Sequence, residues 1–121
     1  MLVMFLSVAL FVSGPVSTIT YSKRYQACSE RAEGSYTHIL ACQGEELVAQ
    51  EARLNRTYSA LMRRLTPAEK RLLRASELKW LTFRDKKCGL PLDPGNSDLV
   101  DSRECHLDET VRRIGWLERH R

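Results

Sequence analysis

The sequence has no C-x-x-C pair and no two histidines at i,i+4 spacing, which removes the ligand spacings that zinc sites favour. His38, His106 and His120 read instead as solvated surface groups. No evident nucleophile stands beside a base, and the acidic residues lie scattered among basic ones, so neither catalysis nor a cofactor or metal is expected. No aromatic side chains interleave with the basic pairs Arg63-Arg64, Lys86-Lys87 and Arg112-Arg113, which argues against nucleic acid as a partner. Compensation of helix C-terminal dipoles accounts for most of these pairs. There is no internal repeat, low-complexity tract or interdomain linker, and 121 residues supply at most one ordinary domain.

The chain also carries no Lys, Arg, Asp or Glu before Lys23. Its apolar run, Leu2 to Ser13, is too short to span a bilayer and fits the hydrophobic region of a signal peptide. No basic residue precedes the run, and Pro15 obstructs cleavage after Gly14, so the cut is expected between about residues 17 and 22. Residues 1–22 are then a leader, and 23–121 form a single periplasmic or secreted domain with no stable membrane span. A buried core helix and an uncleaved anchor are the competing readings. Lipid attachment is not expected, because the first cysteine, Cys28, follows Tyr25, Gln26 and Ala27. The exported domain keeps the formal net charge of +4 and is mildly basic.

What is present is an even set of cysteines, Cys28, Cys42, Cys88 and Cys105, which in an exported chain reads as two disulfides. Four cysteines allow three pairings. The two local loops, Cys28 to Cys42 and Cys88 to Cys105, close at the lowest entropic cost, and that pairing is favoured.

From Ser35 to Leu65 the chain has no proline and places Leu47, Glu51, Leu54, Tyr58, Leu61 and Leu65 on one helical face. Thr66-Pro67-Ala68-Glu69 has the form of a capping box with proline in the first turn. A second helix is expected from Pro67 to about Lys87, with Leu73, Trp80 and Phe83 buried. Residues 89–98, with two prolines and two glycines, must form an exposed loop, and Ser97 or Asp98 is the expected cap of a last helix. That helix aligns Leu107, Val111, Ile114 and Leu117. No segment reads as a strand. The expected fold is all-α, a small three-helix bundle with a short N-terminal segment tied on by a disulfide.

Three stretches carry a resemblance: Leu54-Asn55-x-x-Tyr58-x-x-Leu61, then Trp80-x-x-Phe83-Arg84-Asp85-x-x-Cys88, then Cys105-x4-Thr110-x-x-Arg113-x3-Leu117. The chain resembles the lysozyme-inhibitor LprI-like family from Cys28 to about Leu117. Glu77 departs from the pattern, since relatives often carry Gln there, and the Cys28 to Cys42 loop is slightly long. The resemblance implies a small, mostly helical, disulfide-linked domain of the bacterial envelope, in a family named after a member that inhibits lysozyme.

For most of these motif residues a structural role is the stronger reading. Trp80, Arg84 and Cys88 fall on one helical stripe, where tryptophan can pack and the guanidinium can reach a carbonyl or carboxylate. Arg113 has Glu109 or Asp85 as expected partners, and Asp85 is expected to be exposed. Asn55 reads as a hydrogen-bonding amide and Thr110 as a helix-packing residue.

Two functions remain open. One is a binding protein that occludes lysozyme or another cell-wall hydrolase, with the Pro/Gly-rich loop as contact surface. The other is a non-inhibitory module for an anionic envelope polymer or another envelope protein. Common lysozymes are themselves basic, so the first reading needs a local acidic patch, for which Glu45, Glu46, Glu51, Asp93, Asp98 and Asp101 are candidates.

Overall fold

The computed structural model describes residues 20–120, all-helical apart from turns and loops, in the order α1 (Lys23–Arg31), α2 (Tyr36–Met62), α3 (Pro67–Lys87) and α4 (Asn96–Arg119). The expected leader, apart from its last three residues, lies outside the described residues. The N-terminal segment expected as a plain strap is itself a helix. Ser22 starts it, its hydroxyl accepting from the Tyr25 N–H at 3.1 Å. Ser22 thus belongs to the folded domain although it sits at the edge of the expected cleavage range. Glu33 and Gly34, both at positive φ (46° and 80°), then reverse the chain into α2.

The helix ends follow local chemistry. Ser35 caps α2 through the His38 N–H, and Thr66 and Glu69 exchange side-chain bonds across the start of α3, completing the capping box. Neither Ser97 nor Asp98 is the residue that precedes α4. Gly95 takes that place, and the Asp98 carboxylate reaches back to the Gly95 N–H at 2.9 Å, so Asp98 stabilises the helix start from its first turn. Gly115 does not interrupt α4.

Helices α2 and α4 run parallel. The Gln43 amide donates to the Val100 carbonyl at 3.0 Å, Arg103 to the Leu40 carbonyl at 2.9 Å, and Arg53 meets Glu118 at 3.1 Å. Helix α3, which connects them in sequence, returns antiparallel, as the pairs Cys88–Ser102, Lys87–Glu109 and Glu77–Arg113 show. Helix α1 folds back antiparallel on the first half of α2, through Cys28–Cys42 and a bond from Ser22 to Glu46. The bundle is therefore four helices, all-α as expected, with one more helix than the sequence displayed.

The apolar core lies at the α2–α3 turn end. Leu54, Leu61, Leu73, Ile114 and Leu117 form it, flanked by Tyr58, Met62, Leu65, Trp80 and Trp116. Phe83 is not part of it and is 52 % exposed. The inward stripe of α3 runs through Leu73, Trp80, Arg84 and Cys88, and a residue three after Trp80 is turned about 60° off that line. Among the described residues no helix is long and apolar enough to cross a membrane.

Candidate partner-binding surface

Both disulfides take the local pairing, Cys28–Cys42 joining α1 to α2 and Cys88–Cys105 joining α3 to α4. The second closes the base of the loop 89–95. The Ser102 hydroxyl adds a 2.6 Å bond to the Cys88 carbonyl, and the Gly95 to Asp98 bond holds the other side. On this clamped loop Leu90 is 47 % exposed and Leu92 is fully exposed. Burying such a side chain is worth about 1.5–3 kcal/mol, so a loop closed by a disulfide that leaves two leucines in water holds apolar surface exposed at that cost.

The charges around this loop are not distributed as the net charge suggests. The parallel α2–α4 pair and the antiparallel α3 divide the described chain into two ends. Residues 53–80 and 110–120, at the turn end, hold eleven Lys and Arg against three Asp and Glu. Residues 20–52 and 81–109, at the loop end, hold seven against twelve. A chain with a formal net charge of +4 is thus acid-rich at the end that carries the exposed loop.

The acid patch differs from the expected one. Glu46 is 3 % exposed and serves the fold, accepting from the Ser22 N–H at 3.1 Å and the Ser22 hydroxyl at 2.7 Å. Glu45 lies 3.8 Å from Arg24 in a loose surface pair, and Glu51 lies 3.8 Å from the largely buried Arg84. Asp93, Asp98 and Asp101 remain beside the loop. Glu104 and Asp108 continue from Asp101 along one face of α4, bordering an open groove with Lys87 and Arg112. Burial pushes the Asp108 carboxyl above its ordinary value, against the lowering pull of Arg112, with Glu109 adding to the rise.

The motif residues gather mainly on the α3–α4 seam. Arg113, 7 % exposed, bonds neither Glu109 nor Asp85. Its guanidinium meets the Glu77 carboxylate at 2.9 Å and the Ser76 hydroxyl at 3.0 Å. Glu109 is occupied by Lys87 and by Arg112, and Asp85 turns to Arg84 and towards His106. Arg113 lies 4.1 Å from the Trp116 ring and 5.8 Å from that of Trp80, whose ring also has Arg84 at 5.1 Å. His120 stacks on Trp116 at 3.7 Å. Arginines and aromatic rings therefore alternate along the seam, each cation offset by a π face or a carboxylate. Of the other motif residues, Leu54, Leu61, Leu117 and Thr110 are buried, Tyr58 is half-buried and Asn55 is exposed.

A buried polar stripe on α2 was not among the expected features. Gln43, Glu46 and Gln50 are spaced three and four apart, a helical period that marks one face as surely as leucines do. Among the described residues no group of three or more His, Cys, Asp or Glu side chains is arranged to hold a metal ion.

No curated protein and no solved structure matches the chain. The family model for Lysozyme inhibitor LprI matches residues 28–117, which takes in both disulfides, the whole α3–α4 seam and the loop between them. A match over that much of the sequence, carried by an all-helical domain with two disulfides, makes the chain a member of the LprI lysozyme inhibitor family.

Proposed function

We propose that the protein is a secreted or periplasmic inhibitor that occludes a basic cell-wall hydrolase such as lysozyme with its loop 89–95. The observation that carries this reading is the exposure of Leu90 and Leu92 on a disulfide-clamped loop at the acid-rich end of the bundle. Membership of the lysozyme inhibitor family and two disulfides, which persist in oxidising compartments, support it.

The mechanism is steric and electrostatic. Asp93, Asp98, Asp101 and Glu104 steer a basic enzyme towards this end, although the whole inhibitor is itself basic. The leucines then supply the desolvated centre of the contact, within a polar rim. Little loop entropy is lost, because the Cys88–Cys105 bond has already fixed the base of the loop.

The test is lysozyme acting on bacterial cell walls, with the oxidised protein added in micromolar excess. Leu92→Ala is expected to weaken inhibition by about tenfold to a hundredfold, the free energy of one interfacial leucine. Absence of inhibition by the intact protein would sink the reading, and full inhibition by Leu90→Ser/Leu92→Ser would remove the loop from it.

A further inference from the structure

We infer that the opposite, arginine-rich end is a second docking surface, for a linear phosphate-bearing polymer of the envelope. It is independent of the hydrolase reading and uses none of the same residues.

Five arginines at this end have no partner within the described fold. Arg56, Arg63 and Arg64 on α2 are exposed and, among the described residues, make no ion pair. Arg71 and Arg74, on the first turns of α3, are exposed and unpaired in the same sense. Helix-dipole compensation does not explain the set, since only Arg63 and Arg64 sit at a helix C-terminus and Arg56 lies two turns earlier. In each of the other basic pairs at least one member is partnered elsewhere. Lys87 and Arg112 meet Glu109, and Arg113 is buried against Glu77.

The shape of the surface selects the partner. Arg56 and Arg63 border one shallow groove on the face of α2 alone, together with Asn55 and Ser59, and Arg56 and Arg64 border a second, between α2 and α4, beside Thr57. Glu118, at the margin of the second groove, is already matched by Arg53 at 3.1 Å. Seven residues of helix separate Arg56 from Arg63 by about 10 Å, a span that one phosphate cannot bridge and a chain of phosphates can. Planar guanidinium groups bind phosphate oxygens two at a time, and Asn55 and Ser59 supply neutral hydrogen bonds between them. No aromatic ring lines either groove, so there is neither a platform for stacked bases nor a wedge for a bilayer.

The probe is long-chain polyphosphate, titrated into the oxidised protein over a series of salt concentrations, with orthophosphate and phosphatidylglycerol vesicles as parallel arms. Arg56→Gln/Arg63→Gln/Arg64→Gln is compared with Lys23→Gln/Arg31→Gln/Lys86→Gln, which removes equal charge from exposed sites at the other end. Circular dichroism and thiol titration check that both variants keep their helices and disulfides. Saturable binding is expected, at least tenfold weaker in the groove variant and changed less than about twofold in the control, with the log–log salt slope reduced by about two to three. Orthophosphate at equal phosphate concentration is expected not to compete. The proposal is overturned by no binding to polyphosphate, by equal losses in the two variants, by competition from orthophosphate, or by binding to vesicles alone.

Discussion

At the end of the bundle where α2 turns into α3, five buried leucine and isoleucine side chains, with Tyr58, Trp80 and Trp116 around them, make an apolar core and no covalent link is present. At the other end the face of α2 that turns inward carries Gln43, Glu46 and Gln50, and both disulfides are found there. The difference teaches where cross-links matter in a small domain. Each cystine closes a short loop, with sequence separations of 14 and 17, and is worth about 3 kcal/mol by restricting the unfolded chain. That is comparable with burying one or two leucines, and the polar half buries only one fully, Leu107. The same division separates charge, so the two ends present different surfaces.

The contrast predicts that the two halves come apart under reduction. Removing both disulfides is expected to cost about 6 kcal/mol, most of the stability of a domain this size. Hydrogen exchange on partly reduced protein should show α1 and the loop 89–95 opening first, while amides of α2 around Leu54 to Leu61 stay protected. Uniform loss of protection along α2 would mean that the halves fold as one unit and that the contrast is only compositional. For comparison, Ile114→Ala, which leaves a cavity in the apolar half, is expected to cost about 2–5 kcal/mol and to lower protection there first.

The boundary between the halves is marked by the buried pair Arg113–Glu77, and it can be broken in two degrees. Glu77→Leu strands a guanidinium that has little exposure to water and is expected to cost roughly 3 kcal/mol. Glu77→Gln keeps an amide oxygen for the Arg113 N–H and should cost about 1 kcal/mol. Denaturant unfolding measures both. Equal losses would show that charge, not the hydrogen bond, fixes the pair, while no loss in either would make stacking on Trp116 the dominant restraint on Arg113.

Much of this fold was legible in the chain. Thr66-Pro67-Ala68-Glu69 fixes the start of α3 by local bonds alone, and loop entropy favours the cystine pairing that the structure has. Helix α1 was not legible, because its nine residues are mostly polar and include no buried one, and it depends on Ser22 and the Cys28–Cys42 link for its place. The partner of Arg113 was not legible either. It lies 36 positions away on another helix, whereas spacing rules see only the neighbouring turn. Charge segregation was only partly legible. The basic block from Arg53 to Lys79 stands out along the sequence, but its grouping with Arg112, Arg113 and Arg119 appears only once α2 and α4 lie parallel and α3 returns antiparallel to them.

The smallest expected effect concerns the acidic face of α4 and has a sign that distinguishes it from ordinary surface carboxylates. Burial raises the Asp108 pKa in the folded state, so the folded protein holds this proton to higher pH than the unfolded chain does. Its contribution to stability therefore falls as pH rises from the ordinary aspartate value through the raised one, and at neutral pH the ionised group is a liability. Asp108→Asn is expected to be slightly more stable than the parent at neutral pH, with the gain vanishing below about pH 3, where the carboxyl is protonated in both states. Thermal unfolding at the two pH values checks this. If the parent is the more stable protein at neutral pH, attraction to Arg112 outweighs burial and α4 carries no strained charge. If the variant gains stability but loses inhibition of a basic hydrolase, the acid-rich end holds Asp108 at a cost to the fold because a cationic partner relieves it.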